Sequence, residues 1–224
     1  DELFMGYGWY QKHMHLSWKV DTFEKMFLNP FQGYIRNISI FSPQERRTLW
    51  GKNTYVKGFV PPDVMRKDFD SIEKINLYDL TTYLPGQLLT KIDRMSMMHS
   101  LEVRSPFLDH HLAEFVYNLP LEYKMDKNGN KIILKDILAE HMPKDFVYRK
   151  KQGFGAPIEE WLDTPQFKKL VFEKLGDKAS IYNFFRKEAV QDIINSFYSG
   201  KKRAVYYKIW ILLCLELWME SHDI

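Results

Sequence analysis

A single cysteine, Cys214, stands in 224 residues. No internal disulfide can form, so the fold rests on its core, and the chain suits a reducing, cytoplasmic setting. Cys214 sits in an apolar run, which predicts a small buried hydrophobe rather than a nucleophile. Long apolar runs are also missing. The longest, Ile209-Trp210-Ile211-Leu212-Leu213-Cys214-Leu215, has seven residues, against the roughly 18 or more of a membrane span. No membrane partner is expected. A run that is apolar on all faces predicts a buried helix. Excess charge of one sign is absent too: 32 basic residues oppose 29 acidic ones, a net +3. Nothing in that balance demands a nucleic-acid partner. The aromatic share of 16% excludes a disordered chain.

Several chemistries lack their motifs. There are seven histidines, yet no HExxH and no Cys/His spacing for zinc. His13 and His15 would face different sides of a helix, and His110-His111 follow a cap. No nucleophile elbow and no Walker A loop occur. Asp126-Lys127-Asn128-Gly129-Asn130 is not a calcium loop, because glycine stands at its fourth position instead of the sixth. It is the best hairpin-turn signal in the chain. The start, Asp1-Glu2-Leu3-Phe4, carries no signal-peptide pattern and reads as a cut through a longer protein.

What is present is mostly helical periodicity. Leu3, Phe4, Tyr7, Tyr10 and Met14 recur at helical spacing, followed by Trp18, Phe23, Met26 and Phe27, with Asn29-Pro30 closing the region. Phe31 to Phe41 reads as loop or short strand. Ser42-Pro43-Gln44-Glu45 is a capping box opening a helix to about Lys52. Pro61-Pro62-Asp63 opens another short one. Helices are predicted over 70–82, from Pro85 to about Met98, and over 109–119. Others follow over 133–141, 167–175, 189–197 and 203–220. Strand signals are few, so the fold class is mainly α with at most a short hairpin. Arg149-Lys150-Lys151 and Lys201-Lys202-Arg203 read as solvated basic faces.

Between two of these helices lies Leu101-Glu102-Val103-Arg104-Ser105-Pro106-Phe107-Leu108-Asp109. Ser105 precedes proline and is pushed toward extended geometry. In an extended segment Glu102 and Arg104 share one face. Phe107 and Leu108 are apolar anchors, and Asp109 can cap the next helix. Two readings stand: a buried strut at an interhelical corner, or an acid and a base presented to a site.

Three segments together resemble the synthetase domain of glutamine-dependent asparagine synthetases. Asp93-Arg94-Met95-Ser96-Met97 with Leu101 to Asp109 is similar to that family's DR-x-SM … LE-x-R-x-PFLD signature. Arg149-Lys150-Lys151-Gln152-Gly153-Phe154-Gly155-Ala156-Pro157 resembles its R-x-K-x-GF-x-x-P loop. Asp1-Glu2-Leu3-Phe4-Met5-Gly6-Tyr7 resembles the tail of its G-x-G-x-DE-LF-x-GY element. The closing Leu212 to Trp218 resembles its final helix.

The resemblance implies that residues 1–224 are the helical C-terminal part of an α/β domain of the ATP-pyrophosphatase, adenine nucleotide α-hydrolase-like type. The ATP loop and an upstream glutaminase domain would lie outside the chain. It implies ATP and Mg²⁺ as cofactors, and aspartate and glutamine-derived ammonia as small-molecule substrates. It also allows a homodimer. The substrate carboxylate would attack the α-phosphate of ATP, and ammonia would then displace AMP, leaving asparagine and diphosphate. By carry-over, Asp1 would handle Mg²⁺ and diphosphate with Glu2 beside it. Lys151 would be the catalytic lysine near the reacting phosphate, where its compact charge suits the transition state. Glu102, Arg104 and Ser105 would frame the site or the ammonia passage.

One departure stands out: Gly86-Gln87 follow Tyr83-Leu84-Pro85 where relatives commonly carry acids. That favours a related amidotransferase acting on a sugar acid of surface polysaccharide, or a β-lactam synthetase-like enzyme. A third possibility, of another class, is a helical interaction module without catalysis.

Overall fold

The computed structural model describes residues 1–19, 30–50, 60–65, 68–149 and 155–224. The chain divides into two compact units, one of residues 1–37 and 59–151, the other of 38–58 and 152–224. Helix dominates both. No strand occurs among the described residues; an isolated antiparallel bridge, Met125 to Asn130, closes the expected turn. The mainly α fold class is therefore as expected.

In the first unit a helix over Gly8–Lys19 packs beside one over Ser71–Tyr78. Its core joins Tyr10, Met14, Phe31, Tyr34, Val64, Ile72, Ile75 and Met125. Burying side chains of this size stabilises by about 1.5–3 kcal/mol each. The helix over Ser71–Tyr78 begins with a reciprocal cap: Asp70 Oδ1 accepts from Glu73 N at 2.8 Å, and Asp70 N donates to Glu73 Oε2 at 2.7 Å. This satisfies two of the amides that a helix start leaves over.

Two boundaries differ from the periodic reading. Phe31 to Ile38 is neither loop nor strand, since Pro30–Ile38 is a helix with Phe31 and Tyr34 on its buried side. Pro30 opens this helix instead of closing the region before it, because its fixed φ and missing N–H suit a first turn. Nor does a helix start at Pro85. The chain runs helically from Ser71 through a π segment, Asp79–Leu89, into Thr90–Met97. A proline inside an α-helix meets the carbonyl four residues back, and the wider π turn gives that carbonyl room. Phe23, Met26, Phe27 and the helix end at Lys52 lie outside the described residues.

The 101–109 connector, for which a buried strut was one of two readings, is exposed among the described residues. Arg104 and Glu102 pair at 2.8 Å, on one face as expected, with side chains 85% and 68% exposed. Ser105 is extended, at φ −99° and ψ 120°. Asp109 caps the helix His110–Asn118 by accepting from Leu112 N at 3.1 Å. Phe107 is half exposed, and its ring meets Phe4 edge-on at 5.8 Å. That helix ends on Lys124, a buried lysine whose Nζ donates to the carbonyls of Val116 and Tyr117 at 3.2 and 3.1 Å. A cation suits the negative end of a helix.

The second unit packs Pro43–Trp50, Ile158–Asp163, Pro165–Lys174 and Lys187–Tyr198 around Tyr206–Ser221. Ser42 and Glu45 form the expected capping box, at 2.8 and 3.2 Å. The final helix is only half buried. Ile209, Leu212, Leu213, Glu216 and Met219 face the core, while Ile211, Leu217 and Trp218 are exposed. Cys214 is exposed with them, against its expected burial. Apolar character on every face permits burial, but packing partners in this unit cover one side alone. Arg203 is not merely a solvated charge: it bonds Glu159 at 2.9 Å and Asp163 at 2.8 Å, and lies 4.2 Å over the Phe197 ring.

No helix among the described residues is long and apolar enough to cross a membrane.

Candidate functional site

Asp1 and Glu2 sit in a tight turn closed by Gly6 N donating to the carbonyl of Asp1 at 2.6 Å. Met5 takes a positive φ of 53° within it. The two acids have different fates. Glu2 is 5% exposed; its carboxylate accepts the hydroxyl of Tyr7 at 2.7 Å, and its carbonyl accepts Asn76 Nδ2 at 2.7 Å. Burial first, then the Glu2 carboxylate, pushes the Tyr7 hydroxyl far above its ordinary range, so Tyr7 stays a donor. Asp1 instead keeps an accessible side and pairs with Nζ of Lys131.

Lys131 reaches Asp1 because of the turn that precedes it. Asp126 Oδ1 accepts the amides of Asn128 and Gly129, each at 2.8 Å, and these bonds hold its carboxyl below the usual range. Asn130 Nδ2 donates to the carbonyl of Gly6 at 2.8 Å, tying the turn to the opening segment. Lys131 follows in the left-handed region, φ 56° and ψ 38°, just before the helix Ile132–Ala139. Burial lowers its pKa, and the Glu2 charge opposes that shift. The turn was legible in the sequence, but the lysine after it carries no chemical motif. Its meeting with Asp1 is a tertiary event.

Below the turn lies a third acid. Asp79 is fully buried at the start of the π segment. Tyr10 donates to its Oδ2 at 2.6 Å, Trp9 Nε1 to the same oxygen at 3.1 Å, and the Tyr34 hydroxyl to Oδ1. Burial raises its pKa although all three donors favour the charged form. Tyr7 stacks on Trp9 at 4.0 Å, and Tyr83 meets both rings edge-on. The site floor is thus an aromatic cluster with one carboxylate inside it.

Of the two expected site acids, Asp1 pairs with Lys131, while the Glu2 carboxylate is buried against Tyr7. The connector carrying Glu102, Arg104 and Ser105 approaches their turn through Phe107 against Phe4, while Glu102 and Arg104 bond each other. Lys150, Lys151, Gly153 and Phe154 lie outside the described residues. No group of three or more His, Cys, Asp or Glu suited to a metal occurs among the described residues. The partly exposed Asp1 carboxylate, paired with Lys131, would meet the sparser demand of Mg²⁺, which takes one or two carboxylates and completes its shell with phosphates and water.

The chain matches the family model described as asparagine synthase over residues 1–220. It is 26% identical over 193 residues to asparagine synthetase [glutamine-hydrolyzing] 1 of Bacillus subtilis (strain 168), covering 83% of this chain and 29% of that protein. It is 31% identical over 177 residues to asparagine synthetase [glutamine-hydrolyzing] 3 of the same organism, covering 73% of this chain and 28% of that protein. It is also 27% identical over 163 residues to amidase chry2 of Gibberella zeae, covering 67% of this chain and 24% of that one. The chain therefore spans less than a third of the length of these curated relatives. No solved structure matches it. With a family model matched along almost its whole length, this chain belongs to the asparagine synthase family.

Proposed function

We propose that these residues are the C-terminal part of the synthetase domain of an ATP-dependent, glutamine-hydrolysing asparagine synthase, a carbon–nitrogen ligase. The observation that carries this reading is the Asp1–Lys131 pair, an accessible carboxylate beside a cation on a rigid turn. In the reaction an aspartate carboxylate oxygen attacks the α-phosphorus of ATP and diphosphate leaves. Ammonia from a glutaminase domain then attacks the acyl carbon, and AMP leaves with the bond electrons.

Such chemistry needs charge neutralisation and positioning more than a covalent intermediate on the protein. Asp1 would hold Mg²⁺, with Glu2 fixing the turn behind it; the ion would neutralise diphosphate charge. Lys131 adds a second cation at the same place. Lys151 is assigned the reacting phosphate on the family resemblance alone, and Glu102, Arg104 and Ser105 the frame of the ammonia route. Asp1 is tied into its turn by the bond from Gly6 N to its carbonyl, and its carboxylate is paired with Lys131 before any ligand arrives.

A second reading has support of its own. Gly86 and Gln87 are exposed, with nothing within 4 Å of a Cβ added at 86, and one relative bears the name amidase. A carboxylate other than aspartate, such as a sugar acid, then takes the substrate's place. Assay of the native protein for AMP and diphosphate with aspartate and with a panel of sugar acids decides between them. Release with aspartate alone supports the synthase, release with a sugar acid alone the second reading, and none with any carboxylate removes both.

A further inference from the structure

The glycine at position 6 has no conformational reason to be one. Its φ lies outside the left-handed region, unlike that of Gly200 in the same chain. Its reason is space. A Cβ built on Gly6 would stand 2.1 Å from Lys131 Cε, 2.2 Å from Asp1 Oδ1 and 3.0 Å from Lys131 Nζ. All three atoms belong to the far ends of two side chains, and none belongs to backbone. The nearest obstacles to a methyl group at Gly6 are therefore the ends of the Asp1–Lys131 pair.

Both sides of the gap are anchored. Gly6 N holds the carbonyl of Asp1 at 2.6 Å, and the carbonyl of Gly6 receives Asn130 Nδ2 at 2.8 Å. Asn130 Oδ1 in turn accepts Lys135 Nζ at 3.3 Å. One peptide thus fixes the acid on its amide side and the lysine-bearing turn on its carbonyl side.

We propose that Gly6 is a positioning residue, whose missing side chain is the space in which Asp1 and Lys131 meet, with Asn130 holding that space open at the right register. The claim rests on the reading of Asp1 and Lys131 as phosphate-site groups. A methyl group at 6 pushes the two charges apart while the fold stays intact, so the loss falls on the site.

The test is Gly6→Ala in the native protein, with Gly8→Ala as control, since a Cβ at Gly8 meets nothing within 4 Å. Competitive acetylation read by mass spectrometry follows Lys131 against the exposed Lys127. Gly6→Ala is expected to raise the relative labelling of Lys131 about two- to fivefold, the range for loss of a partly exposed ion pair. It should leave the melting temperature within about 2 °C. Diphosphate release should fall roughly tenfold or more in kcat with the carboxylate KM held. Gly8→Ala moves none of the three. Unchanged Lys131 labelling overturns the proposal, as does a larger drop in melting temperature, which would make Gly6 a packing residue. Raised labelling with undiminished diphosphate release overturns it as well. If the wild-type protein releases no diphosphate with any carboxylate, the proposed function fails, while the labelling still decides whether Gly6 sets the pair.

Discussion

Tyr10 donates its hydroxyl to the buried carboxylate of Asp79 at 2.6 Å across 69 residues of sequence. That bond ties the first described helix to the π segment and sits beneath the turn that carries Asp1 and Glu2. Asn76 Nδ2, which holds the Glu2 carbonyl, lies one helical turn before Asp79. The two anchors act on the same floor.

Asp79→Ala would leave the Tyr10 and Tyr34 hydroxyls and the Trp9 N–H without their acceptor. Each buried donor left unpaired costs about 1–3 kcal/mol, so urea unfolding should shift down by several kcal/mol. Asp79→Asn should cost less, since its one carbonyl oxygen still accepts. An unshifted midpoint in Asp79→Ala would mean these bonds contribute nothing net. The pH dependence has a definite sign. The folded carboxyl holds its proton above the ordinary value of 3.8, so its contribution is fullest below 3.8 and is lost as pH rises through the raised value. Asp79→Asn removes that dependence.

His13 is 2% exposed, and neither ring nitrogen has a hydrogen-bond partner among the described residues. Its ring meets Tyr34 edge-on at 5.7 Å. Burial, with Lys12 beside it, lowers its pKa below 6.5. Between that lowered value and 6.5 the unfolded chain binds the proton and the folded one does not, so stability falls as pH drops through this window. The slope for one proton is at most about 1.4 kcal/mol per pH unit. Unfolding midpoints from pH 7.5 to 5.5 should fall in the wild type and stay flatter in His13→Leu. Parallel profiles would show that His13 binds protons alike in the folded and unfolded chain, and would overturn the expectation.

Glu216 is a carboxylate in the long, largely apolar last helix, and it is 2% exposed. It accepts the amides of Ser180 and Ile181, each at 2.8 Å, at the start of a short 3₁₀ turn. Glu216→Ala leaves two buried amides bare and is expected to lower stability by about 2–4 kcal/mol. Glu216→Gln keeps one acceptor and should lose less. Equal losses in both variants would assign the effect to side-chain volume instead of the bonds.

Lys151→Ala in the native protein is expected to cut diphosphate release about 10²- to 10³-fold, the cost typical of removing one charge-stabilising contact. Glutamine hydrolysis should continue close to the wild-type rate. An undiminished release of diphosphate would remove Lys151 from the mechanism.

Local chemistry made much of this chain readable in advance. The caps at Ser42 and Asp109, the turn at Asp126 and the extended geometry at Ser105 each follow from a side chain or a proline acting on its immediate neighbours. The pairing of Glu102 with Arg104 followed from their two-residue spacing in an extended segment. Three features were beyond such reading, because each depends on what another part of the chain brings near. Pro85 runs through a helix because the backbone there widens to a π turn. Cys214 is exposed because neighbouring helices cover only the other side of its own. Lys131 enters the site because Asn130 ties its turn to Gly6. Sequence by itself determined which groups can cap, turn or carry charge. Tertiary structure alone decided which of them meet, since the Asp1–Lys131 contact joins residues far apart in sequence and exists only where a missing side chain at Gly6 leaves it room.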